Sequence, residues 1–324
     1  MIVVPTEDSF NSRGLSAWIA SLKQSILKKP DSAELHALLG VYYGRLNYFP
    51  EAISSLEKSI NLNVGPHSNF AWSFINLGVV YNKIKNYPKG LDVVNKAIEL
   101  NPKILSAYEL LGMIKLDQGK PDEAISAVKN ILKNYPDHIG AINVACRAYL
   151  MLNDEEKTLF YFREKLLISP DYTNYNDLGS AYAHFGKHED AIVNYEKAVE
   201  LNPRGGKTYL NLGSIYLKIK NYQKAIHHSQ KAIEHDPDSL SAYINLGNAQ
   251  LQLGQLDIAK ATYNIILLKS PDVSGVHKNI GYIYAQNKNS IKAISHFQEY
   301  LRLSPNPPDV AQVQSTIQTL KNPN

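Results

Sequence analysis

Three groups of residues have types suited to chemistry. His184 and His188 stand four apart with Glu189 next, the donor pattern of a zinc hydrolase when one helix face carries both imidazoles. Gly186 falls between them and reads as an interhelix turn, so no zinc pair is expected. Gly205-Gly206-Lys207-Thr208 resembles the close of a phosphate-binding loop, but the opening glycine of that motif would fall at Leu201, and the preceding segment reads as helix where such a loop follows a strand. Of His227, His228 and His235 only the last two could share a helix face, and no cysteine or acid joins them at metal-ligand spacing. With neither Gly-x-Ser-x-Gly nor Cys-x-x-Cys present, the chain reads as non-enzymatic, with no catalytic residue, metal or cofactor.

A fourth group suits binding instead. Asn211, Asn245 and Asn279 recur at steps of 34 residues, with Asn76 and Asp177 at equivalent places. An amide offers two donors and an acceptor, which matches the backbone of an extended peptide whatever its side chains.

The elements that must carry this row are set out by prolines. Pro102, Pro136, Pro170, Pro203, Pro237, Pro271 and Pro305 follow one another at 34, 34, 33, 34, 34 and 34 residues. A unit of that length cannot bury its own apolar face and must stack on neighbours as a solenoid. Gly40, Gly78, Gly112, Gly179, Gly213, Gly247 and Gly281 are each followed, twelve residues on, by alanine or glycine, as two closely approaching antiparallel helices require. Tyr209, Leu212 and Tyr216 show helical spacing before Ala225, Ser229 and Ala232. The unit is helix, turn, helix.

This unit of large residue, Leu, Gly, Tyr, Ala, aromatic, Ala and Pro resembles the tetratricopeptide repeat over nearly the whole chain. The resemblance implies an all-α, right-handed α-solenoid or superhelix of about eight repeats, starting near Ala33, Ala71, Leu105, Ile139, Tyr172, Gly206, Leu240 and Ser274. Residues 1–13 are then a tail, 14–32 a half-repeat helix, 33–305 the solenoid, and 306–324 a capping helix and tail. The family's first helices line a concave groove through positions two, five, six, nine and thirteen. Those positions give a peptide-binding groove of Asn76, Asp177, Lys207, Asn211, Asn245, Asn248, Lys278, Asn279 and Tyr282, and an apolar groove of Trp72, Ile75, Val79, Leu110 and Met113. The amide row is similar to one in the repeat half of O-linked N-acetylglucosaminyltransferases, whose catalytic domain is not in this sequence. The lysine and asparagine set with which some co-chaperones grip acidic chaperone tails is not supplied by any three consecutive repeats; position five of the seventh is Ile244.

Composition agrees. The chain has 324 residues, 44% of them apolar, and 34 basic against 30 acidic residues leave a net charge of +4 with no run that would track phosphates. Nucleic acid is not an expected partner. No segment has the ~20 apolar residues of a membrane span, and Met1–Val4 gives way at once to Pro5, Thr6, Glu7 and Asp8, so a cytoplasmic location is expected. The single Cys146 cannot form an internal disulfide and occupies the small slot that glycine holds in other repeats.

Repeat four departs most from the pattern, with Ala145-Cys146 for Leu-Gly and Thr158 for alanine, so a hinge is expected near residues 152–160. The function expected is a protein-binding scaffold or adaptor holding an extended or helical segment. The alternatives are a substrate-recruiting part of a glycosyltransferase-like enzyme, and self-association through an N-terminal segment seated in the apolar groove.

Overall fold

The computed structural model describes residues 12–62 and 71–322. Among the described residues there are eighteen α-helices and no strand. The all-α reading and its eight helix pairs therefore stand. The chain divides into two compact units, one running to Ile168 and the other beginning at Ser169. This division lies beyond the 152–160 segment, which holds an interhelix turn and the start of the helix that runs on to Ile168. Most of the proposed tail, and the four extra residues that separate the first two repeats, lie outside the described residues.

The first unit opens with α1 (Ser12–Lys28). Four antiparallel pairs follow: α2 (Ala33–Arg45) with α3 (Phe49–Leu62), α4 (Ala71–Lys83) with α5 (Tyr87–Leu100), α6 (Leu105–Asp117) with α7 (Pro121–Asn134), and α8 (Ile139–Met151) with α9 (Glu155–Ile168). The second unit has α10 (Tyr172–His184) with α11 (His188–Leu201), α12 (Gly206–Lys218) with α13 (Tyr222–His235), α14 (Leu240–Gln252) with α15 (Leu256–Lys269), α16 (Ser274–Gln286) with α17 (Ser290–Leu303), and α18 (Val310–Lys321). Each end is shielded: Leu15, Ile19 and Leu22 of α1 pack on the first pair, and Val313 and Ile317 of α18 pack on Phe297 and Tyr300.

Every pair turns through one residue in the left-handed region. Glycine serves in three pairs (Gly119, Gly186, Gly254), whereas Asn47, Lys85, Asn153, Lys220 and Lys288 adopt φ of 55° to 62° in the others. A side chain there costs about 1 kcal/mol. In the second, fourth, sixth and eighth pairs the next residue offsets that cost by capping the second helix: Asn86, Asp154, Asn221 and Asn289 accept from the backbone N–H of Lys89, Lys157, Lys224 and Lys292.

The small slot on five of the first helices makes room chiefly for the residue sixteen positions later, while Gly78 also meets Leu110 and Gly112 meets Val144 of the next first helix. A Cβ on Gly40, Gly179, Gly247 or Gly281 would fall 2.6 to 2.8 Å from Leu56, Tyr195, Tyr263 or Phe297. The small residue twelve positions on contributes by letting backbones approach, as at Ala52 and Ala191, whose carbonyls lie 3.0 and 3.2 Å from those positions. Tyr263 and Phe297 are wholly buried as a result.

Candidate functional site

In the second unit the row of amides is wired into the fold, and the wiring decides which atoms are left to face a ligand. Asn176, buried on α10, accepts from Thr208 Oγ1 at 3.2 Å and from Asn211 Nδ2 at 3.1 Å. Two repeats on, Asn248 Oδ1 accepts from the Tyr263 hydroxyl at 2.7 Å and from Asn279 Nδ2 at 3.0 Å, while Asn279 Nδ2 also donates to the Tyr263 oxygen at 3.0 Å. Burial pushes the Tyr263 phenol above its ordinary range, so the hydroxyl stays a donor. The triangle couples the two amides: turning Asn248 alone would set donor against donor, and turning Asn279 alone would set oxygen against oxygen. Asn279 donates through Nδ2 to both oxygens and keeps Oδ1; Asn248 accepts at Oδ1 and keeps both N–H groups. Between these wired residues stands Asn245, half-buried, with no side-chain hydrogen bond to protein among the described residues.

The cations of this face differ in freedom. Lys278 is bound to Asp309 at 2.9 Å, and the same carboxylate accepts from the Tyr300 hydroxyl. Tyr300, and after it Lys278, holds the Asp309 carboxyl below the usual range, while burial, helped by Asp309, pushes Tyr300 up to about 12. Lys278 is thus taken up in seating α18. Lys207 is exposed, Asp177 is half-buried, and Tyr282 lies edge-on to Phe297 at 5.0 Å.

In the first unit the apolar set separates in two. Trp72, Val79 and Met113 are 46%, 37% and 40% exposed, and Met151 joins them at 49%. Ile75 and Leu110, by contrast, are buried with Val94, Ala97, Ala107 and Ile114, which corrects their assignment to the groove. Positions five and six lie where adjacent first helices meet, and a large side chain there is absorbed by the neighbour. Asn76 donates to the Trp72 carbonyl at 2.8 Å, a bond within its own helix. Asp117 is shared by Asn82 at 2.8 Å and Arg147 at 2.9 Å.

The histidines and Cys146 occupy structural positions. His184 ends α10 and His188 begins α11, with Gly186 between them at φ 74°. His228 stacks on Tyr216 at 5.2 Å, and both His228 and His235 stack on Tyr209. Thr208 donates to Asn176, and Gly205 and Gly206 lead into α12. Cys146 is buried. No group of three or more His, Cys, Asp or Glu suited to a metal occurs among the described residues, and no helix there is long and apolar enough to cross a membrane.

Sequence reasoning missed Asn176, Tyr195 and Tyr263. The two tyrosines carry hydroxyls from the second helix past a glycine to the first-helix face, Tyr195 donating to Ser180 Oγ at 3.2 Å. A tyrosine sixteen residues after the glycine is the signal that would have found them.

Models described as tetratricopeptide repeat or TPR repeat match residues 106–138, 179–220, 220–280 and 278–307. The mouse tetratricopeptide repeat protein 21B is 34% identical over 95 residues, 29% of this chain and 7% of that protein, so the match spans a small part of the relative. A tetratricopeptide repeat protein from Parabacteroides merdae superposes with a TM-score of 0.56 at 16% identity, over 78% of this chain and 99% of its own. A chain of the APC/C hetero-tetramer Cut9-Hcn1, solved by crystallography, gives 0.57 at 18% identity over 95% of this chain and 59% of the solved one. At these identities the solved structures show the fold alone.

Proposed function

The chain belongs to the tetratricopeptide repeat family, and on that premise we propose that it is a non-enzymatic scaffold whose second unit holds an extended segment of another protein along its first helices. The observation that carries this reading is the row Asn211, Asn245 and Asn279. It recurs at one place in three successive repeats, and Asn245 has no protein partner for its amide among the described residues. Asn211 and Asn279 each donate to a neighbouring asparagine, Asn176 and Asn248, so Asn245 is the member of the row whose whole amide is left to a ligand. Amides spaced along a groove grip backbone N–H and C=O groups without regard to side chains.

The test is a peptide array probed with the intact chain and with Asn211→Ala/Asn245→Ala, two positions outside the Tyr263 triangle. Loss of signal across unrelated sequences, at unchanged helicity, supports backbone recognition. Equal signal from both proteins removes the row from the mechanism.

A second reading rests on Trp72, Val79, Met113 and Met151, exposed together on the first helices of the first unit. Methionine adapts to many apolar shapes, and this face suits an amphipathic helix. Trp72→Ala/Met113→Ala would then weaken capture of helical peptides alone.

A further inference from the structure

We propose that the third repeat carries a binding site for a planar nitrogen heterocycle, which stacks on Tyr108 in the slot that Ala127 leaves open and bonds to the amides of Asn130 and Asn134. The site lies on α6 and α7 of the first unit and does not depend on the amide row.

In three repeats the ring at the fourth position is covered by the repeat's own second helix. In the sixth, Tyr209 lies against His228 and His235, with ring centroids 6.1 and 5.5 Å apart. In the eighth, His277 faces His296 at 5.3 Å. In the seventh, where Thr262 replaces the imidazole, Lys269 reaches over the Tyr243 ring at 6.0 Å. The third repeat also has a ring at this position, Tyr108, but Ala127 and Asn134 stand where the covering residues would be. Tyr108 has no ring or cation partner among the described residues. Its hydroxyl donates to the Pro102 carbonyl at 3.2 Å, which holds the ring in place.

The result is a recess of about 500 Å³ walled by Tyr108, Leu111, Ala127 and Ile131, within the size range of small-molecule sites. One edge is polar. Asn130 and Asn134 line it one helical turn apart, and neither amide has a side-chain hydrogen bond to protein among the described residues. Together they present donors and acceptors to the rim of a flat group resting on Tyr108.

The sister repeats show which group suits such a slot, since they build it in. The His228 imidazole lies between Tyr209 and Tyr216, and that of His296 between His277 and Tyr284. An apolar face for stacking and a ring nitrogen for hydrogen bonding are the features a ligand needs to take the place of the missing side chain.

The test titrates indole into the intact chain and follows the methyl resonances of Ala127 and Ile131 by NMR. Saturable shifts are expected, with a dissociation constant on the order of 1 mM. Ala127→His, which restores the built-in imidazole, should weaken binding roughly tenfold, and the control Ala261→His, at an exposed site on α15, should leave it unchanged. Asn130→Ala/Asn134→Ala should weaken it about fivefold. N-acetyltryptophanamide, titrated in the same way, separates two sources of the ring: binding equal to that of indole supports a side chain of a protein partner, and binding of indole alone supports a free small molecule. Absence of saturable shifts in the wild-type chain overturns the site, as does wild-type affinity in a folded Ala127→His. Where that variant fails to fold, the asparagine pair decides, because unchanged affinity there overturns the assignment of a nitrogen heterocycle.

Discussion

A Cβ on Gly247 would stand 2.6 Å from Cε1 of Tyr263, so the tyrosine ring crosses the first helix at the one place that can admit it. Its hydroxyl then emerges beside Asn248 and Asn279. Packing inside a repeat and hydrogen bonding on the binding face therefore depend on the same side chain. Gly247→Ala should lower the stability of the second unit by about 2–3 kcal/mol, because the wholly buried ring has nowhere to move. Gly275→Ala is the control: its Cβ meets nothing within 4 Å, and stability should hold or rise slightly. Hydrogen exchange across residues 240–290 reads both; unchanged protection in Gly247→Ala would refute the contact.

Tyr263→Phe keeps the ring and removes the hydroxyl. Asn248 Oδ1 loses one donor and an Asn279 N–H loses its acceptor, so we expect a cost of about 1–2 kcal/mol. Binding through the amides should weaken as well, because the Tyr263 hydroxyl no longer couples Asn248 to Asn279. Urea unfolding together with the peptide array measures the two effects separately.

Lys220 has φ of 61°, a conformation that glycine adopts without penalty. Lys220→Gly should stabilise the chain by about 0.5–1 kcal/mol, the strain relieved exceeding the flexibility added to the unfolded chain. Thermal unfolding checks this, and a lower midpoint would show that the Lys220 side chain contributes more than its backbone costs.

Core and surface in the first unit should part cleanly on truncation. Leu110→Ala and Ile75→Ala each remove a buried side chain from one cluster and are expected to cost about 2–4 kcal/mol. Met113→Ala and Trp72→Ala, at exposed sites, should change stability much less. Denaturation midpoints of the four variants decide the matter; a large loss in Met113→Ala would place it in the core.

Burial, aided by the charges of His227 and Lys224, depresses His228 from the ordinary 6.5 to about 4. The unfolded chain therefore takes up a proton at higher pH than the folded one. The His228 contribution to stability is intact above about 6.5, and it drains away as pH falls toward 4. His228→Phe, which keeps a ring between Tyr209 and Tyr216, should flatten the decline in melting temperature between pH 7 and 4.5. An unchanged slope would assign the pH dependence to other groups.

Helix periodicity, the proline step and the glycine slots are all local, and together they were sufficient to derive the helix-turn-helix unit and the all-α array from the amino-acid order alone. Local spacing also located the amide row, since equivalent positions in stacked repeats share a face. Three matters were settled only by packing. Which side chain fills the glycine slot depends on how the two helices of a pair cross, and the partner sixteen residues on prevailed over the one twelve on. Ile75 and Leu110 look like groove residues when a repeat is read in isolation; they are buried because the adjacent repeat covers them. The pairing of the amides is set by partners on other helices, Tyr263 with Asn248 and Asn211 with Asn176, and a hydrogen bond across 15 or 35 residues leaves no periodic trace in the sequence. The spacing of the repeats determined that there is a face to bind with, while tertiary contacts decided which atoms it offers.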